Sequence, residues 1–263
     1  MKQIYKYPRT RHIEGSRLQP GDEDLKAVPF SRIKDKHLII EEKVDGANCA
    51  ISFSEKGNLL LQSRGHYLTG GKREKHFNLF KTWANTHVAN LKKLLSTNYI
   101  MYGEWLYAKH TVYYDQLPHY FMEFDIYDSQ KGNFLSTPRR KEMLSGYPFI
   151  NSVRVLSEGP IKKLKTLTNF IENSNFIGTH FKKNLYAQCQ KEDLDPERTF
   201  RETDLSGLME GLYIKVENKD IILERYKWIR YNFLTTVVQS GSHWLNRPII
   251  PNRLSDGVDI FNA

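Results

Sequence analysis

Apolar residues recur along the chain with two different periods. Between residues 38 and 64 the runs are short and strand-like: "LIIEEK", then "ANCAISF" with Ala47, Cys49, Ile51 and Phe53 at every second position, then "NLLLQSR". Alternation of this kind predicts two or three strands, and the turn residues Glu55, Lys56, Gly57 and Asn58 suggest an antiparallel meander. Over residues 76–95 the period changes: Phe77, Phe80, Ala84, Val88, Leu91 and Leu95 are spaced by three and four, which predicts an amphipathic helix packed on a core. Two more strand-like runs, "YIMYGEW" and "YFMEFDIYD", follow. Thr137 and Pro138 then open a helix with a capping hydroxyl and a proline in its first turn. Residues 162–171 read as helical, and residues 182–209 are charged and weakly patterned. "GLYIKVE" and "DIILERYKW" predict a hairpin around residues 217–220, and the last 36 residues read as helical to about Val238, then irregular.

This element order predicts an α+β fold with mainly antiparallel sheets flanked by helices. It divides into a lead-in over 1–37 packed on the main domain, a main domain over 38–227 and a short helical tail over 228–263. With 40% hydrophobic and 26% charged residues, the 263-residue chain has the composition of a soluble globular protein. A net charge of +9 directs attention to a phosphate-bearing polymer as partner. Two cysteines, Cys49 and Cys189, cannot build a tetrahedral zinc site, and no apolar run approaches a membrane span, so a cytoplasmic, reducing location with no membrane partner is expected.

The strand pattern breaks at Lys43. A lysine amine is a nucleophile only when neutral, and with an ordinary pKa of about 10.4 it needs burial or nearby cations to become one. Asp45 and Gly46 follow it, adding a carboxylate and a residue without Cβ that allows a tight turn and close approach of a ligand. This K-x-D-G run is followed in order by "SRG" (63–65), "YGEW" (102–105), "FMEFDIYD" (121–128), "EGLYIK" (210–215) and "ERYK" (224–227), each attached to a strand-like run. Together these motifs resemble those of the covalent nucleotidyltransferases, the superfamily of DNA ligases, RNA ligases and messenger-RNA capping enzymes.

The resemblance implies a nucleotidyltransferase, or ligase adenylylation, fold. It also implies that Lys43 attacks the α-phosphate of ATP, expels pyrophosphate and carries AMP as a phosphoramidate. It makes Lys215, Arg225 and Lys227 the cations around the phosphates, where they also help keep Lys43 neutral. Arg225 stands where many relatives have a lysine. Arg64 falls at the arginine near the nucleotide and the nucleic-acid end, and Glu104 at the ribose-contacting carboxylate. Phe121 matches the aromatic stacked on the purine, with Phe124 as the competing choice, and Glu210 the acid near a metal ion. Asp45 belongs to the nucleotide site, and Asp125 either supports it or braces a turn. "KVDGAN" is similar to the type-2 RNA ligase pattern, which nominates Glu42 for an adenine contact and Asn48 for a phosphate contact. Cys49 reads as core.

Among the basic clusters, Lys72, Arg73 and Lys75 follow "SRG" and "TGG" and are the candidates for tracking a nucleic-acid backbone. Only 36 residues follow Lys227, too few for the OB-fold domain of DNA ligases and capping enzymes. An ATP-dependent RNA ligase joining RNA 5′-phosphate and 3′-hydroxyl ends in RNA repair, with Mg2+ or Mn2+, is therefore the expectation. A DNA ligase, a GTP-dependent capping-type enzyme and a non-catalytic nucleic-acid-binding relative are the alternatives.

Overall fold

The structure, a computed structural model, describes residues 4–18, 21–22, 24–239 and 247–262, and of residues 72–73 and 237–239 the backbone alone. Its strands are β1 (Arg11–His12), β2 (Leu38–Lys43), β3 (Ala47–Phe53), β4 (Leu59–Ser63), β5 (Tyr99–Trp105), β6 (Phe121–Asp128), β7 (Asn133–Phe134), β8 (Asn151–Ser152), β9 (Val155–Gly159), β10 (Gly211–Glu217) and β11 (Ile222–Ile229). Its helices are α1 (Asn78–Thr86), α2 (Val88–Leu95), α3 (Thr137–Leu144), α4 (Leu164–Thr168), α5 (Phe181–Lys191), α6 (Pro196–Arg201) and α7 (Tyr231–Gln239). One sheet has the order β1-β11-β10-β2-β9, and the other β4-β3-β5-β6-β7 with β8 beside β6. Pairing is antiparallel except for β1 with β11 and β6 with β8. This is the α+β architecture of mainly antiparallel sheets that the sequence predicts.

The expected meander does not form as such. β3 and β4 pair as a hairpin, with Phe53 opposite Leu59. β2 instead joins the other sheet, between β10 and β9. Its residues 38–42 are all buried, as in a strand covered on both faces, and its partners lie more than a hundred residues downstream where local alternation cannot reveal them. Residues 44–46 therefore carry the chain from one sheet to the other.

The long helix predicted over 76–95 is a 3-10 turn at Lys72–Phe77 followed by α1 and α2, separated at His87. Phe80 and Trp83 of α1 stack against Phe121 of β6 with ring centroids 5.7 and 5.2 Å apart. Leu91, Leu94 and Leu95 of α2 complete that core, which includes the buried Cys49. The helix at 162–171 shrinks to α4. Residues 182–209 hold α5 and α6: Phe181, Leu185 and Cys189 bury one stripe, and Asp195 caps α6 by accepting from the Glu197 amide. The hydroxyl expected to cap α3 does something else, since Thr137 donates from both its amide and its Oγ1 to buried Glu217, at 2.7 and 2.8 Å.

After α7 the chain returns at residues 247–262 along the connection between β5 and β6. Asn252 fixes it there: its Nδ2 donates to the Leu106 carbonyl at 2.7 Å, its Oδ1 accepts from the Tyr114 amide at 3.0 Å, and its carbonyl accepts from the Tyr120 hydroxyl at 2.9 Å. Among the described residues no helix is long and apolar enough to cross a membrane.

Candidate active site

The two sheets face each other across a cleft of about 750 Å³, counting the open solvent at its mouth. The end of β2 supplies Glu41, Glu42 and Lys43 to its wall, and the opposite sheet supplies Asn48, Glu104 and Phe124. Arg64, Val153, Tyr213 and Lys227 extend the lining, and the N-terminal stretch closes it with Tyr7, Pro8 and Thr10. Strand register makes this convergence possible. Lys43 lies opposite Gly211, so Glu210 arrives beside the lysine, and Asn48 lies opposite Glu104.

Lys43 ends β2 with 23% of its side chain accessible, and its Nζ sits 2.8 and 2.9 Å from the two carboxylate oxygens of the buried Glu210. Burial alone would lower the Lys43 pKa, but the charges of Glu210, Glu104 and Asp45 outweigh it and raise it. Burial likewise pushes Glu104 up to about 8 and Glu210 up to about 7 against the opposing pull of Lys43. The lysine is thus held by Glu210, and the charges of Glu210, Glu104 and Asp45 favour its ammonium form. This corrects the expectation that neighbouring cations keep it neutral.

Those cations are engaged elsewhere. Lys215 is fully buried, pairs with Glu41 at 2.8 Å and Asp125 at 2.9 Å, and donates to the Phe124 carbonyl. Arg225 lies 3.5 Å from Asp125 and covers the Phe134 ring at 3.7 Å. Arg140 joins the same buried cluster through Glu41 and Glu123, at 2.8 and 3.0 Å. Tyr7 donates to Asp125 and meets the Tyr213 hydroxyl, which fastens the N-terminal stretch to this network. Lys227 does reach the cleft but is held by Asp22, which also contacts buried His12 at 3.3 Å.

Of the residues singled out from sequence, the structure brings together at the cleft Glu42, Lys43, Asn48, Arg64, Glu104 and Lys227, with Glu210 in contact behind the lysine. Lys215 and Arg225 stand in the network behind the wall. Asp45 turns away: its Oδ2 accepts from the Thr111 and Val112 amides at 2.7 and 2.8 Å, and its own amide donates to the Tyr114 hydroxyl. Gly46 serves the protein rather than a ligand, because a Cβ there would stand 2.5 Å from Leu106 and 2.9 Å from Glu104 Cγ.

Phe121 is not a stacking ring. It is fully buried against α1, and Phe124 lines the cleft. The cause is a β-bulge: Tyr102 pairs with Asp125 and Gly103 with Glu123, so Phe124 is the extra residue, re-aimed out of the ladder. Lys75 is exposed on the 3-10 turn, and the side chains of Lys72 and Arg73 lie outside the described residues. Sequence reasoning missed Tyr7, Thr10, Asp22 and Tyr213. Tyr213 belongs to the quoted "EGLYIK", whereas the other three sit in a lead-in with no periodic signal.

Among the described residues no group of three or more His, Cys, Asp or Glu is arranged as a metal site. The available donors are the carboxylates of Glu210 and Glu104, whose pKa values burial raises against the pull of Lys43. Such a set fits a hard cation that keeps water and takes its remaining ligands from phosphate oxygens.

A family model described as RNA ligase matches residues 36–229, about three quarters of the chain. Among solved structures, the chain is similar to Naegleria gruberi RNA ligase. An aspartate-to-alanine variant of that protein in its apo form gives a TM-score of 0.54 at 15% identity, covering 88% of this chain and 57% of that one. A lysine-to-alanine variant with ATP and Mn gives 0.53 at 15% identity, covering 88% and 58%. A glutamate-to-alanine variant with AMP and Mn gives 0.53 at 15% identity, covering 88% and 57%. At this identity the likeness is one of fold, and the chain spans less than two thirds of the length of those structures. No curated protein matches the sequence.

Proposed function

Because the chain belongs to the RNA ligase family, we propose that it is an ATP-dependent RNA ligase whose nucleophile is Lys43. The observation that carries this reading is a lysine at the end of a strand, open to the cleft between the two sheets and touching a buried carboxylate whose pKa burial raises to about 7. The Lys43 amine, having lost a proton, attacks the α-phosphate of ATP; the N–P bond forms and pyrophosphate leaves with the electron pair of the broken P–O bond. Glu210, in contact with Nζ, is placed to accept the proton before a metal ion engages its carboxylate. An RNA 5′-phosphate oxygen then displaces the lysine, and a 3′-hydroxyl displaces AMP to close the phosphodiester.

Phe124 offers its ring to the base, Asn48, Arg64 and Lys227 face the phosphates, and Glu104 stands at the ribose. Mg2+ or Mn2+ held by Glu210, with Glu104 nearby, would supply neutralisation of charge on the phosphate oxygens. The net charge of +9 suits an RNA partner, and joining 5′-phosphate to 3′-hydroxyl ends is the chemistry of RNA repair.

The test is incubation with α-labelled ATP and a divalent ion. Label is expected to stay on the denatured wild-type protein and to be absent from K43A. Matched RNA and DNA substrates, nicked and single-stranded, then follow; sealing of DNA 3′-hydroxyl ends as readily as RNA would overturn the RNA assignment, and labelling by GTP alone would indicate a capping-type enzyme.

A further inference from the structure

Next to the nucleophile, Glu42 presents an unusual arrangement. Its side chain is 1% exposed yet lines the cleft. One oxygen, Oε1, accepts from the hydroxyl of Ser174, a residue 132 positions away in a loop outside every motif of the nucleotide site. The other, Oε2, is buried and has no hydrogen-bond partner among the described residues. A buried carboxylate oxygen left this way is costly unless something donates to it.

The Ser174 hydroxyl has one proton, and its direction is fixed. The Phe176 amide donates to Ser174 Oγ at 3.2 Å, so the oxygen is already an acceptor and the proton goes to Glu42. The serine is itself 2% exposed and anchored by its amide on the Gly207 carbonyl at 3.0 Å. Glu42 is therefore held as an acceptor on one oxygen while the other awaits a donor. Adenine offers an amino group at its 6-position, a donor; guanine offers a carbonyl there, an acceptor.

Resting on the reading of the cleft as a nucleotide site, we infer that Ser174 is a specificity-positioning residue: by holding Glu42 Oε1 it keeps Oε2 an acceptor and makes the pocket select adenine over guanine. The protonation balance supports this. Burial pushes the Glu42 carboxyl up to about 7, with the Ser174 hydrogen bond and the charge of exposed Arg154 pulling it down. Tyr114, whose own pKa is raised in part by the Glu42 charge, is a further titratable neighbour. Without the serine hydroxyl the carboxyl protonates more readily, and a protonated Oε2 donates, which suits the guanine carbonyl.

The experiment is covalent labelling of the full chain by α-labelled ATP and GTP in competition at pH 7.5, for wild type, S174A, S174T, E42Q and S174A/E42Q. The ratio of AMP to GMP label is expected to fall roughly tenfold in S174A, in line with loss of one hydrogen bond to a charged group. It should be retained in S174T, and the double variant should fall no further than E42Q, because the serine acts through the glutamate. S174A and S174T slowing both labels equally, with the ratio unchanged, would overturn the inference while leaving the ligase reading intact. No covalent label on wild type from either nucleotide would overturn both.

Discussion

Two clusters of charge lie within a few side chains of each other and are built on opposite plans. Behind the cleft wall, Glu41, Glu123 and Asp125 face Arg140, Lys215 and Arg225, three acids against three bases, all but Arg225 fully buried. Burial would raise these carboxyls; Lys215 and Arg225 hold Asp125 below its ordinary value, while Glu123 stays raised although Arg140 pulls it down. In the cleft, Glu104 and Glu210 face Lys43 while Glu42 meets Ser174 and the charge of Arg154, and burial pushes all three carboxyls up to between about 7 and 8. The first cluster pairs its charges among the described residues. The second opens on the cleft, where a ligand can add to it. Buried ions that hold a shape are paired inside the protein, and those placed for chemistry stand where a ligand can reach them.

The sharpest way to break this comparison is to remove one cation from each cluster. K43A should lower covalent labelling from ATP by more than about 10⁴-fold, the cost of losing a covalent nucleophile. Its stability should change by less than about 1 kcal/mol at slightly acid pH, because Glu210 escapes the loss by protonating. R140M should do the reverse, lowering unfolding free energy by about 3–5 kcal/mol because Glu41 and Glu123 are left buried without their partner. Chemical denaturation and labelling on the same samples check both; equal stability losses would mean that the clusters do not differ.

The next test separates the two phenylalanines of β6. F121A should destabilise by about 3–5 kcal/mol through the cavity left against Phe80 and Trp83. F124A should fold nearly normally and raise the KM for ATP about tenfold through lost stacking.

The smallest effect is on pH dependence. Glu104, Glu42 and Glu210 take up protons in the folded chain at pH values where the unfolded chain still holds them ionised. Stability therefore rises as pH falls from about 8.5 to about 6.5, and is lost as pH rises. Below about 6.5 the buried rings of His12 and His119, held under their ordinary pKa, pull the other way. A thermal midpoint higher by about 2–4 °C at the lower pH, flattened in E104Q, is the expected scan; an unchanged slope in E104Q would remove Glu104 from the open cluster.

The open cluster was largely legible in the sequence. Lys43, Asn48 and Glu104 stand in short motifs on strands whose alternation is plain, and Glu210 precedes the strand that pairs with β2. The closed cluster was not. Arg140 lies in a helix with no site motif, and nothing local indicates that Lys215 faces Glu41 rather than a phosphate. The sequence does not separate Phe121 from Phe124, because the bulge that takes Phe124 out of the ladder is a property of the pairing between β5 and β6 and leaves no mark on either strand alone. The charge state of Lys43 was misjudged for the same reason, since which charges surround it depends on partners that fold in from far along the chain.

That distance has a kinetic consequence. Lys43 meets Glu210 across 167 residues, Lys227 meets Asp22 across 205, and Tyr114, whose hydroxyl holds the loop after the nucleophile, is fixed by Asn252 across 138. The β3–β4 hairpin, by contrast, closes over a few residues. Long loops close late because their entropy is lost before their contacts form. On refolding from denaturant, strand and helix signals should therefore recover first, and the capacity to take up AMP should be the last property to return.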